Sequence, residues 1–270
     1  MDRSDIQIVI FAVFVVAAFI EFSYGSAYLG AFFATAALAV LLRFSAVSGA
    51  GGGGSLLRKV LGVAIVAAVL YYNFSTQSQI KTLDSFLILL GASIAMTGMG
   101  AGRIRELGHL TFYMSLIFLV LFSSVYVLPG MLGIKLPYYY GHYMVTLPVA
   151  KLLTSAGLDL EVVAMNLLYV GNMTNSLIGL DMACYGFYSM FLIISATVAY
   201  GITMDASFRR IVPILAILAV ASYAANLLRV STLIVLAYYY GVETMLLVHS
   251  HLGWIFFAFL LLPLMYLFLK

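Results

Sequence analysis

The sequence predicts an all-α integral membrane protein of about eight transmembrane helices with a small extracytoplasmic cap. Three observations carry that expectation. Hydrophobic residues make up 64% of the 270-residue chain and charged residues only 9%, and the mean hydropathy of +1.12 leaves too little polar surface for a water-soluble globule. Apolar runs recur at lengths that cross ~30 Å of hydrocarbon at ~1.5 Å per residue. Lys and Arg are shared unequally among the loops between those runs, as membrane topology requires.

The runs cover residues 6–21, 27–42, 57–72, 86–100, 110–132, 182–203, 211–238 and 245–269. The first has neither a basic leader nor a small-residue cleavage site behind it, so it reads as an uncleaved helix. Between the second and third lies S-G-A-G-G-G-G-S (48–55), a flexible loop with no assigned chemistry. These runs divide the chain into an N-terminal five-helix region (1–134), a cap segment (135–181) and a C-terminal three-helix region (182–270).

With the N-terminus placed in the cytoplasm, one side receives Arg3, Arg43, Arg58, Lys59, Arg103, Arg105, Arg209, Arg210 and Lys270. The other side receives only Lys81, Lys135 and Lys151. Both termini are therefore expected inside. Tyr71 and Tyr72, Tyr138 to Tyr140, and Tyr238 to Tyr240 fall at the outer ends, where an aromatic belt would lie. So do two Asn-x-Ser/Thr acceptors, Asn73 and Asn172.

The one long connection, roughly 133–181, carries the cap. Within it 147–158 has Pro148 early, apolar residues at helical spacing and a closing Gly157, which predicts a helix lying on the membrane surface. Two apolar stretches then flank Gly171 and Asn172, the two-residue kind of turn that makes a hairpin.

Against this apolar background the polar residues stand out. Arg229 lies roughly 27 Å along its helix, toward the outer leaflet. A charge there costs on the order of 2.5–3.5 kcal/mol at mid-membrane and less near the interface; the bland reading is a side chain reaching up to lipid phosphates. Ser222, Asn226 and Arg229 stand at i, i+4 and i+7, on one helical face. Cys184, the only cysteine, begins the preceding run, with Asp181 as a candidate cap that would put the thiol in a helix's first turn. Taken alone it reads as a small buried hydrophobe. His249 and His251 open the last run, about 200° apart, so that only one can face a given site; His249 shares its face with Gly253. The topology brings a thiol, a cation and an imidazole to one depth on three consecutive helices, a set suited to nucleophilic acyl transfer.

Three short motifs then carry a resemblance. A-C-Y-G-F-Y-S (183–189), N-L-L-R-V (226–230) and H-S-H-L-G-W (249–254) resemble, in order and spacing, the signatures of the exosortase and archaeosortase superfamily. The similarity covers about residues 147–257. It implies a membrane cysteine transpeptidase that cleaves the C-terminal sorting signal of secreted proteins at the outer face and transfers the new C-terminus to an acceptor, a lipid in many archaeal members. The signal comprises a short motif, a transmembrane helix and a basic tail. Carried over, Cys184 is the nucleophile, Arg229 the essential cation and His249 the third member; Asn226, Ser222, Asp181 and Ser189 are candidate supporting residues. Tyr185, Phe187 and Tyr188 are bulkier than that signature suggests. The lack of a large extra domain and the two outer acceptors lean toward an archaeal member.

Two other classes fit less of the sequence. A transporter could bind an anionic solute along the Arg229 face, and a lipid acyltransferase could use His249 as base. No metal-ligand spacing, cofactor loop or basic patch is present, so no metal, cofactor or nucleic-acid partner is expected.

Overall fold

The computed structural model describes residues 55–99, 102–256 and 263. The expected spans 6–21 and 27–42, most of the glycine-rich loop and the end of the eighth span lie outside the described residues. Helices dominate, and three of them are long and apolar enough to cross a membrane: Leu56–Ser75, Gly102–Met131 and Phe208–His249. The apolar helices Thr82–Thr97 and Phe187–Thr203 are shorter. The chain is thus a helical membrane protein with a small sheet; the described residues do not themselves supply eight spans.

The described residues fall into two units, one drawn from 55–120 with 194–213 and the other from 121–193 with 214–256. In the first, α1 (Leu56–Ser75) begins where the Ser55 hydroxyl accepts the Arg58 N–H. It packs on α2 (Thr82–Thr97) with almost no space between the backbones. A Cβ at Gly62 would stand 2.4 Å from Gly91 O and Ala95 N, and one at Gly91 2.8 Å from Gly62 O. Small residues let membrane helices approach this closely. α3 (Gly102–Phe122) lays Gly108 against Met96 and Thr97, and Phe118 stacks on Phe86 with centroids 3.4 Å apart.

Asn73 is buried in the last turn of α1. Its amide donates to Val69 O at 3.0 Å and its Oδ1 accepts from Ser78 Oγ at 3.0 Å. A glycan on that nitrogen is incompatible with this packing, which corrects the reading of Asn73 as an outer acceptor. The asparagine instead ties the last turns of α1 to Ser78 in the loop that follows.

In the second unit the helix of α3 continues through one π-type turn, Ser123–Val127, into α4 (Leu128–Met131). The cap is more helical than expected: α5 (Leu136–Tyr140) and a π-type stretch, Gly141–Thr146, lead into α6 (Leu147–Ser155). Pro148 sits in the first turn of α6, where its missing N–H costs nothing, and Gly157 follows the helix at φ +91°.

The hairpin expectation needs correction. Three strands, not two, form an antiparallel meander: β1 (Leu160–Ala164), β2 (Leu167–Val170) and β3 (Ser176–Gly179). The two-residue turn is Met165–Asn166, between β1 and β2. Residues 171–175 make a wider connection with positive φ at Asn172 and Asn175. Leu168 pairs with Val162 on one side and Ile178 on the other, and Leu168 and Ile178 are buried on the inner face.

Two helices complete the described chain. α7 is Phe187–Thr203. α8 is Phe208–Phe256, interrupted at Gly241, whose φ of 85° and ψ of 167° belong to glycine alone. The break leaves arms 208–240 and 242–256, close to where the sequence separates its last two runs. The wide connection after β2 serves the end of the first arm: Met173 N–H donates to Tyr238 O at 3.2 Å and the Thr174 hydroxyl donates to Ala237 O. The connection is thereby tied to the last turn before the break, and the Thr174 hydroxyl of the second Asn-x-Thr motif has a structural partner.

The α1–α2 crossing is open to test. Gly62→Leu will lower the melting temperature of the detergent-solubilised protein, consistent with the ~1–3 kcal/mol that overpacking costs. An unchanged melting curve would exclude the close approach.

Candidate active site

The segment 181–189 takes its shape from its own sequence. Asp181 is extended, and its carboxylate accepts the Met182 N–H at 2.6 Å while its carbonyl accepts the Cys184 N–H at 2.8 Å. These bonds close a single 3-10 turn, Met182–Tyr185. Gly186 then adopts the left-handed conformation, φ 81° and ψ 4°, which ends the turn before α7 begins. Cys184 therefore stands in a separate turn ahead of α7. The expectation that Asp181 caps the long helix with the thiol in its first turn is corrected: the cap is real, but the helix it starts is one turn long.

Tyr185 anchors this turn from below. Its ring lies on the bare backbone of Gly141, where a Cβ would come within 2.2 Å, and its hydroxyl donates to Leu180 O at 3.0 Å. Burial first, then the neighbouring Tyr138, Cys184 and Asp181, push the phenol up to about 12, so it is a neutral donor at working pH. Phe187 and Tyr188 join an aromatic cluster with Tyr126, Tyr140 and Phe191. The bulk that departs from the signature is used in packing.

The first arm of α8 meets this segment along one face. The Ser222 hydroxyl donates to Ser189 Oγ at 3.4 Å, and Ser189 in turn donates to Gly186 O at 2.9 Å. Asn226 Nδ2 donates to Cys184 O at 2.9 Å, and Arg229 Nη1 donates to Ala183 O at 3.4 Å. Residues at i, i+4 and i+7 thus bond successive parts of the cysteine-bearing segment. Ser222 and Asn226 are buried and Arg229 is half-buried.

The second arm approaches the same guanidinium. A Cβ on Gly253 would lie 3.4 Å from Arg229 Cζ and 3.6 Å from Nε and Nη2. His249, one helical turn earlier, faces the same way, is half-buried, and has Arg229 and Asp181 as the charged groups in its electrostatic surroundings. His251 points about 200° away around the helix. Among the described residues, no three His, Cys, Asp or Glu side chains gather as a metal site requires.

Cys184 is only 7% exposed. Burial raises its pKa above the ordinary thiol value. The Arg229 guanidinium and the Asp181 backbone N–H pull it down, the Asp181 carboxylate pushes it up, and burial prevails. The resting group is a neutral thiol.

Sequence reasoning missed Gly186 as the partner of Asn226. The signal was a glycine two residues after the cysteine, at the only point where an abrupt turn-to-helix change could occur. It also left Tyr185 and Gly141 unpaired, a contact between distant segments with no local pattern.

A family model described as transmembrane exosortase (Exosortase_EpsH) matches residues 32–266. The chain belongs to the transmembrane exosortase family and is a membrane protein. No curated protein and no solved structure matches it.

The electrostatics give a pH test. Alkylation of Cys184 by iodoacetamide will rise with pH through a midpoint above that of an ordinary thiol. Arg229→Gln removes a group that lowers the pKa, so the midpoint of its labelling curve will move further up. A midpoint moving down would contradict the assigned influence of Arg229.

Proposed function

We propose that the protein is a membrane cysteine transpeptidase that cleaves the C-terminal sorting signal of secreted proteins at the outer membrane face and passes the new C-terminus to an acceptor, a membrane lipid. The single observation that carries the reading is the bonding of the Cys184 turn by Asn226 and Arg229, with the His249 arm laid against the same guanidinium. Family membership supports the reaction class.

In this reading His249 takes the thiol proton as Cys184 Sγ attacks the scissile carbonyl carbon, and the carbonyl oxygen becomes an oxyanion. Arg229 stabilises that charge in a site largely closed to water, a role a lysine fills less well because it lacks the planar fork. The C–N bond then breaks, the leaving amine takes the proton from His249, and a thioester remains on Cys184. An acceptor hydroxyl or amine attacks the thioester, its proton passes through His249, and the thiol is regenerated. The substrate's own transmembrane helix docks beside the enzyme, with its motif at outer-leaflet depth and its basic tail inside. Both termini of the enzyme are cytoplasmic.

The test uses a co-expressed secreted protein ending in a motif, a transmembrane helix and a basic tail. Cells with the intact enzyme will yield a shortened, acceptor-linked C-terminus by mass spectrometry, and Cys184→Ala will leave full-length precursor. Arg229→Lys will fold but lose about 100-fold or more in processing rate, the scale of losing one oxyanion donor. Normal processing by Cys184→Ala would sink the mechanism, and full activity in Cys184→Ser would favour acyl transfer by His249 alone.

A further inference from the structure

The direction in which a side chain leaves the backbone is fixed by the N, Cα and C atoms of its residue. Those atoms belong to the two peptide units that flank the Cα. At Cys184 the preceding unit carries the Ala183 carbonyl and the following unit carries the Cys184 carbonyl. Each accepts a hydrogen bond from the same helix, the first from Arg229 Nη1 at 3.4 Å and the second from Asn226 Nδ2 at 2.9 Å. Both planes that aim the Cys184 Cβ are therefore tied to α8, leaving only rotation about the Cα–Cβ bond.

The shorter tie is the one from Asn226, which also acts on a second point. Gly186, two residues after the cysteine, is the joint between the 3-10 turn and α7, and a glycine joint is the softest place in the segment. Asn226 closes it by contact: a Cβ at Gly186 would stand 2.6 Å from Asn226 Cγ and 2.8 Å from its Nδ2. The asparagine is 6% exposed, so no bulk water replaces its amide at the carbonyl.

We propose that Asn226 is the positioning residue of the nucleophile: it sets the direction of the Cys184 thiol by holding that residue's own carbonyl and by blocking rotation at Gly186. It need touch neither the sulfur nor the substrate. The proposal rests on the transpeptidase reading for its consequence in catalysis, and on the hydrogen bond alone for its consequence in thiol accessibility.

Two variants loosen the turn from opposite sides. Asn226→Leu keeps the bulk and removes the donor; Gly186→Ala drives a methyl group into Asn226 and strains the left-handed joint. The full chain is purified in detergent, its melting temperature recorded, and Cys184 labelled with N-ethylmaleimide; processing of the co-expressed precursor is measured in cells. The expected result is a near-normal melting temperature, labelling several-fold faster than in the parent, and processing slower by about tenfold to a hundredfold, the scale of a slightly misplaced reacting group.

Faster labelling with slower processing separates positioning from a general structural role, in which exposure and activity do not move in opposite directions in a protein that still melts normally. Unchanged labelling in both folded variants, or unchanged processing despite faster labelling, overturns the proposal. Failure of both variants to fold also overturns it, since the asparagine would then hold the unit together. Normal processing by Cys184→Ala defeats the transpeptidase reading instead, while the labelling comparison still decides whether Asn226 holds the turn.

Discussion

The hydrogen bond from Asn226 to the carbonyl of Cys184 is the constraint on which the site depends. Without it a four-residue turn would be attached to α7 by a glycine and to the cap by a single aspartate. A turn so short has little internal bonding, and its geometry must be imposed from outside. α8 imposes it through Ser222, Asn226 and Arg229, and Tyr185 imposes it from the other side by filling the space above Gly141. The left-handed Gly186 is the counterpart of that design. Only a residue without a Cβ leaves room for Asn226, and only glycine takes the required φ without strain.

A helix that carries a recognition face must be fixed along its length, and the cap does this for α8. The turn after β2 donates an N–H and a hydroxyl to the carbonyls of Tyr238 and Ala237, just before Gly241 breaks the helix. The sheet is thus attached directly to the element bearing Asn226 and Arg229. Gly241 then redirects the chain so that the second arm brings Gly253 onto the guanidinium. A residue with a Cβ would resist this backbone conformation, so the relation between the Arg229 and His249 arms depends on one glycine.

Much of this was legible in the sequence, for identifiable reasons. Helical periodicity placed Ser222, Asn226 and Arg229 on one face, because i, i+4 and i+7 follow from the helix alone. Pro148 and Gly157 marked the ends of α6 because each has a local conformational meaning. The hairpin was misread because Gly171 and Asn172 carry turn chemistry that the fold uses for a wider, helix-capping connection. Met165–Asn166, a weaker turn signal, became the tight one. Asn73 was misread because a three-residue motif says nothing about burial. The helix expected from residue 182 began at 187 because the conformation of Gly186 is decided by Asn226, forty residues away. Contacts of that range leave no mark in a local pattern.

The balance of forces at Cys184 bears on when its charge appears. Burial outweighs the guanidinium, so the thiol rests neutral. A resting thiolate would form an ion pair with Arg229, and the attraction between them would stabilise the ground state and lower its reactivity. A neutral thiol forms no such ground-state pair with the guanidinium. On the proposed chemistry negative charge then develops on the carbonyl oxygen of the substrate, near a guanidinium already oriented by Ala183 O and backed by Gly253. The interaction gains strength only as the transition state forms, which is the condition for an electrostatic contact to accelerate a reaction. On the same proposal the neutral thiol needs a base, and His249 is the imidazole whose arm packs on the same arginine. On that proposed chemistry the buried, externally held turn keeps Cys184 uncharged and aimed until a substrate supplies the place where charge is wanted.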